Sequence, residues 1–373
     1  MSKLLPGSPA DSQRYAALLA EAQGIRGISL WLDAWRRLRR NWAAMASLGF
    51  LILLALASFF VPLLPLQSPE EQHLVTRQFE PPNTRPHKLG LAALVSDNKA
   101  YQSRVEAAWS NITLLDRGMI RARVALFGDW CIPSLCGTDE LGRDLLARIL
   151  WGSRVSIMVG VVATLVSLLI GVSYGATAGY LGGWVDDAMM RLVDILYSIP
   201  FIFVVIYLIT ILDEPTTIKP WLLKYGINKI VIFYIVIGAI YWLTMARVVR
   251  GQVISLKNDQ FVEAARAIGA SQGRIIFRHL VPNLMSVVIV YLTLTIPSVM
   301  LFEAFLSFLG LGVDPPGVSW GILASNGIQA INPVRIFWWL VLFPGLALAM
   351  TLFALNFLGD GLRDALDPRL KNK

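Results

Sequence analysis

Six long uncharged blocks set the limits on what this chain can fold into. Runs without Asp, Glu, Lys or Arg cover Ala43–Pro69, Val155–Val185, Ile195–Leu212, Ile230–Ala246, Leu280–Phe302 and Ile336–Gly359. A helix needs about 20 apolar residues to cross the hydrocarbon core, within a range of roughly 17–25. All six runs qualify, the third and fourth narrowly. A barrel strand would alternate apolar and polar residues, and these blocks do not. Composition agrees: 55% of the 373 residues are hydrophobic and 16% charged, against about 25% charged in soluble chains. The expected fold class is an all-α integral membrane protein with six transmembrane helices. They are placed at 43–66 and at about 155–183, 192–212, 230–246, 284–305 and 336–359.

The formal charge of +8 does not point to nucleic acid, because the cations cluster at span ends, as the positive-inside rule describes. Arg36, Arg37, Arg39 and Arg40 precede span one. Arg247, Arg250, Lys257, Arg266, Arg274 and Arg278 lie between spans four and five, and Arg363, Arg369, Lys371 and Lys373 follow span six. Both termini are therefore expected in the cytoplasm. No cleavable signal peptide is expected, since the first apolar run starts near residue 43 and is too long for one. Residues 1–42 form a cytoplasmic segment. Within it, 29–42 (SLWLDAWRRLRRNW) set Leu30, Trp31, Trp35 and Leu38 against four arginines, the pattern of an interfacial helix resting on membrane lipid. An ordinary basic flank is the alternative.

Two polar segments carry most of the remaining information. Residues 67–154 form an external insert, too short to guarantee its own core. It holds Cys131 and Cys136, the only cysteines, and a disulfide between them suits an oxidising compartment. The insert ends in GTDELGRDLLARILWGSRVSI, where Thr138 or Asp139 can cap a helix from about Glu140 that lies along the outer surface before span two turns inward. The second segment is 258–283, NDQFVEAARAIGASQGRIIFRHLVPN. Asn258 or Asp259 can cap a helix through Glu263, Ala264, Ala265 and Ile268, and Gly269 can end it in a left-handed turn. Pro282 starts the next span. A short helix with small residues suits docking in a groove on a soluble partner; resting on lipid headgroups is the alternative.

Other features are read more simply. Gly182–Arg191 is expected as a short inner turn, and Asp213–Lys229 as an outer loop. Pro200 and Pro297 fall inside spans and kink them, for gating or for packing. Glycines 160, 171, 175, 179, 182 and 183 allow close helix approach, within the chain or to a second subunit. Asp194 is expected in water at the inner start of span three. Glu303, near the outer end of span five, is a candidate cavity carboxylate, or else a structural hydrogen-bonding group.

Several chemistries are missing from the sequence. No GxxxxGK[ST] loop occurs, so the chain cannot itself be a P-loop ATPase. The histidines are His73, His87 and His279 only, and with no HExxH pattern or Cys cluster no metal site and no catalytic set is expected. The absence of charge at mid-span disfavours an ion-coupled carrier.

The 258–283 segment resembles the EAA loop of ABC-importer permeases: Glu263, Ala264, Ala265, Gly269 and Pro282 stand at that loop's positions. Gly137, Thr138, Asp139, Gly142, Arg143 and Asp144, with Gly152 and Arg154, resemble the signature before the second span in permeases for dipeptides, oligopeptides and nickel. Glu303–Ala304 with LSFLGLGVDPPGVSWG (306–321), and LNFLGDGLRDALDPRLK (355–371), resemble later stretches of the same family. The resemblance covers about 29–66 and 137–373, while the 67–136 insert departs from shorter members. It implies the type I importer permease fold with a cytoplasmic coupling helix, and a place in the bacterial inner membrane. The implied partners are a second homologous permease, two P-loop ATPase subunits that use ATP and Mg, and an extracytoplasmic solute-binding protein. The chain is then a transport subunit with no cofactor of its own and no enzymatic activity. A six-span receptor or scaffold, and a secondary carrier, are the other readings.

Overall fold

One side chain starts the first span. Asn41, in extended backbone, accepts the Ala44 N–H at 3.2 Å, an N-cap that satisfies an orphan donor. Helix α2 then runs Trp42–Phe59, preceded by the amphipathic α1, Leu30–Arg40. The computed structural model describes residues 30–85, 87–94, 97–109, 112–213, 229–313 and 316–366. The expectations for residues 1–29, for most of the 213–229 loop and for the end of the C-terminal stretch, 367–371, lie outside these.

The insert does build its own core. A two-residue antiparallel ladder joins β1 (His87–Lys88) to β2 (Trp130–Cys131), with His87 opposite Cys131. Helix α3 (Asn98–Ala108) is capped by Asp97, and α4 (Leu114–Phe127) by a capping box of Thr113 and Asp116. Leu91, Trp109, Ile120 and Cys131 are among the buried side chains between them.

The next helix corrects one expectation. The separate surface helix from about Glu140, and its turn into span two, are not present. Residues 137–144 form a tight loop, and α5 runs unbroken over Leu145–Leu181, 37 residues, or about 55 Å at 1.5 Å per residue. Gly137 and Gly142, with φ of 79° and 72°, break the backbone before Leu145, and no breaker follows until Gly182. The expected turn at 182–191 is also replaced. Helix α6, Gly183–Ser198, begins directly after the positive-φ Gly182. It ends at Ile199, and α7, Phe201–Asp213, leaves at an 80° bend. Pro200 lacks an N–H and drives its predecessor out of the α region, and Ile199 sits at φ −81°, ψ 125°.

Helix α8 (Lys229–Leu256) lies along α5, and α9 (Gln260–Ala267) follows it. Helix α10 (Val281–Phe308) continues a helical path from Gln272 through a π-helical turn at Ile275–Leu280. Helix α11 spans Trp320–Gln329 and α12 Trp338–Leu366, with Pro344 inside it. Among the described residues, four helical segments are long and apolar enough to cross a membrane: α2, α5, 272–308 and α12. The bent α6–α7 pair would make a fifth.

Glycine decides how closely α5 and α8 approach. A Cβ on Gly175 would lie 2.3 Å from the Ala246 carbonyl oxygen, and one on Gly179 2.8 Å from that of Arg250. Gly160, Gly171, Gly175 and Gly179 therefore serve packing within the chain, whereas Gly183 has nothing within 4 Å of its Cβ position. Helix α1 is held by α12, where Ala34, Leu38, Ala44 and Ala365 are buried together.

Candidate functional site

Helix α9 is the best-presented element of the chain. Asp259 takes its N-cap position, and Gly269, at φ 79°, turns the backbone after Ile268, in the left-handed region that favours glycine. Successive residues of a helix point about 100° apart, so the two alanines do not share a face. Ala265, with Val262, is buried against Val253, Ile275 and Leu280. Ala264 stays outside with Glu263, Ala267 and Ile268, and Ile268 is 84% exposed. Pro282 is exposed in the first turn of α10. It stands two residues after the end of the π-helical turn at Leu280, and it has no N–H to donate.

Charged contacts tie this end of the bundle together. Arg266 Nε donates to the Tyr180 hydroxyl at 3.3 Å, and its guanidinium lies 5.2 Å from that ring centroid. Lys257 Nζ donates to the Gly179 carbonyl at 3.3 Å. Arg250 grips Asp186 with two bonds, 2.6 and 2.7 Å, joining α8 to α6. Asp194 is exposed, as expected, and pairs with Arg247 at 2.7 Å. Helix α9 is thus linked to the end of α5, and α8 is clamped to α6. Sequence reasoning missed the exposure of Ile268 and the Arg250–Asp186 clamp. An apolar residue just before the capping glycine was the available signal for the first; the second has no local signal, as its members lie 64 positions apart.

The signature loop sits at the other end of α5 and is built as a knot. Thr138 is buried; its hydroxyl accepts the Glu80 N–H at 2.9 Å and donates to the Arg77 carbonyl. Asp139 accepts the backbone N–H groups of Leu141 and Arg143 at 2.9 Å each, binds Arg143 Nε at 2.8 Å, and pairs with Arg148. Asp144 caps α5 by accepting the Ala147 N–H at 2.7 Å. Burial pushes its carboxyl up to about 6, outweighing that bond. Gly137 and Gly142 admit no side chain: a Cβ would meet Glu80 O at 2.8 Å and His73 O at 2.4 Å respectively. Trp339 Nε1, at the start of α12, donates to the Thr138 carbonyl at 3.2 Å. Through Thr138, Asp139 and Asp144 the signature loop joins the insert to α5 and α12. Arg154 pairs with Asp116 at 2.8 Å, and a Cβ on Gly152 would touch Ser319.

The expected disulfide is corrected. Cys131 and Cys136 are free and buried in different apolar clusters. Cys131 accepts from Arg123 at 3.1 Å, while Cys136 packs beside Leu145 and Trp339. Burial raises both thiols, Cys136 to about 11. Glu303 is 1% exposed, and its Oε1 accepts from Ser307 at 2.8 Å and Ser319 at 2.7 Å. In this conformation it braces α10 against the start of α11 and faces no open space. A cavity of about 500 Å³ opens elsewhere, between the insert and α5, where Trp109, Trp151, Tyr234 and Pro316 offer apolar faces beside the Asp116–Arg154 pair. Against the expectation of no metal site, Glu71, His73 and His87 converge in the insert.

Comparison with known proteins shows the family of the chain. Residues 167–372 match the family described as "Binding-protein-dependent transport system inner membrane component", and residues 29–82 match the "N-terminal TM domain of oligopeptide transport permease C". The chain is 43% identical over 350 residues to the oligopeptide transport system permease protein OppC of Escherichia coli (strain K12), covering 94% of this chain and 95% of that one. It is 40% identical to the OppC of Haemophilus influenzae, covering 96% and 95%. It is 37% identical to the dipeptide transport system permease protein DppC of Bacillus subtilis (strain 168), covering 94% and 90%. The chain belongs to the family of inner-membrane permease components of binding-protein-dependent transport systems.

Proposed function

We propose that this permease carries peptides or related small solutes, as one half of an ABC importer. The observation that carries the reading is the similarity, over about the whole chain, to permeases named for oligopeptide and dipeptide transport. The other half of the pathway is a second, homologous six-span permease. Helix α8 is the sixth span here, completing the set with the bent α6–α7 pair. Two P-loop ATPase subunits bind ATP and Mg and dock on α9, and a solute-binding protein delivers cargo at the insert. Both termini and α9 face the cytoplasm. The signature loop and α9 lie at opposite ends of α5, and the arginines clustered around 247–278 support the cytoplasmic side for α9.

The mechanism follows from the contacts around α9. Closure of the ATPase pair moves α9. Its buried residues, Val262 and Ala265, and the Arg266–Tyr180 contact pass that motion to α5 and α10, and the Arg250–Asp186 clamp carries it from α8 to α6. The bundle then alternates between two packings, and the chain breaks no bond. Purification from native membranes in mild detergent, with a tag on this chain, tests the assembly. A second permease and two ATPases per complex are expected. Recovery of this chain alone would overturn the reading.

A further inference from the structure

We propose that Glu71, His73 and His87 form a site for a divalent transition cation of the zinc class, independent of whichever cargo the permease carries. One ligand atom from each lies within 4.8 Å of the others, the one such group among the described residues. The imidazoles meet edge to face, with centroids 5.1 Å apart. Metal–nitrogen bonds of about 2.0–2.1 Å in a tetrahedron set ligand atoms about 3.4 Å apart, so binding needs a contraction of about an ångström by side-chain rotation.

The backbone positions all of this in advance. The His73 N–H donates to Leu141 O at 2.9 Å, its carbonyl accepts from Arg77 N at 3.1 Å, and the ladder with Cys131 fixes His87. His73 Nε2 is buried with no hydrogen-bond partner. An unpaired buried polar atom costs about 1–3 kcal/mol, and a cation would satisfy it. Arg104 holds one oxygen of Glu71 at 2.7 Å, leaving the other for a metal, in the manner of partners that orient a ligand.

The donor set selects the ion. Two imidazoles and one carboxylate suit zinc, cobalt, nickel or copper, whereas calcium and magnesium require oxygen. The neighbouring charges balance, since Glu71 and Glu80 stand against Arg77 and Arg104, which are paired to them. Affinity would therefore come from the nitrogens rather than from an acidic field. Bound metal would staple residues 71–73 to β1. Because the His73 carbonyl lies against Gly142, it would also brace the signature loop that starts α5.

The test uses the whole complex, purified with a histidine-free tag, stripped with chelator and titrated with Co2+ alone and then Zn2+. The expected result is a visible cobalt spectrum saturating at one ion per copy of this chain, bleached by zinc. His87→Ala and His73→Ala should each weaken binding by more than about 10-fold. His279→Ala, which alters the third histidine of the chain, should leave it unchanged. Metal-free His87→Gln, melting where metal-free wild type does, would show that lost binding is not lost folding. An absent spectrum means no site and one that survives both His73→Ala and His87→Ala means adventitious metal only; either overturns the proposal.

Discussion

At the scale of single residues, Asp144 exposes a tension between capping and burial. Its carboxylate caps α5, yet burial lifts its pKa from 3.8 to about 6. A raised carboxyl pKa means that the folded state keeps a proton that the unfolded chain has lost. Between about pH 4 and pH 6 this group therefore makes folding less favourable as pH rises, and above pH 6 the full cost remains, on the order of 1–3 kcal/mol. Asp144→Asn keeps an acceptor for the Ala147 N–H and carries no charge. The variant should melt above wild type in detergent at pH 7.5 and converge with it near pH 4. A lower melting temperature at pH 7.5 would show that the charge itself is needed by Arg77 or its neighbours. The two cysteines give a second expectation. Alkylation before and after denaturation, read by mass spectrometry, should find two free thiols, both protected in the folded protein at pH 7.5 because burial holds them protonated.

At the scale of elements, the contact between α5 and α8 makes opposite predictions for two glycines. A methyl on Gly175 would meet a backbone carbonyl at 2.3 Å, which cannot rotate away. Gly175→Ala should therefore destabilise by about 1–3 kcal/mol. Gly251, inside α8, has nothing within 4 Å of its Cβ, so Gly251→Ala should stabilise by about 0.5–1 kcal/mol through helix propensity. Thermal unfolding of the two variants side by side tests whether backbone approach, rather than glycine content, explains the stripe. That stripe was visible in the sequence, as were the apolar blocks and the turn at Gly269, because each depends on neighbours a few positions away. The pieces that escaped depend on distant chain. A 37-residue α5 needs the knowledge that 138–144 is pinned by Glu80, Arg77 and Trp339, and spacing does not reveal that. The two cysteines, only five positions apart, suggested a bond, whereas packing sends their side chains into different cores. The Thr113–Asp116 capping box was legible and passed over, since attention rested on the spans.

At the scale of the whole molecule, the proposed transmission asks a helix of 8 residues to move a bundle. Helix α9 is anchored on one side and open on the other. Its anchored side shares a core with α5, α8 and α10, so it cannot shift without them. Its open side carries Ile268, too exposed to contribute to this chain's own stability, and Glu263 in the first turn. If an ATPase covers that face, the energetics divide between the two residues. Ile268→Ala removes three carbons from the contact, about 0.8 kcal/mol each, so the ATPase should bind about 50-fold more weakly while the permease melts unchanged. Glu263→Lys reverses a charge that favours the helix N-terminus and would meet the partner with the wrong sign. We expect ATP-driven uptake to be abolished in proteoliposomes while insertion and assembly with the second permease persist. The comparison to make is binding against uptake in both variants. Weak binding that recovers at high ATPase concentration in Ile268→Ala, beside uptake that stays lost in Glu263→Lys, would separate an adhesive contact from the one that transmits motion. Normal uptake in Glu263→Lys would remove α9 from the transmission path, leaving the Arg250–Asp186 clamp and the α6–α7 bend as the remaining route from the ATPase side into the bundle.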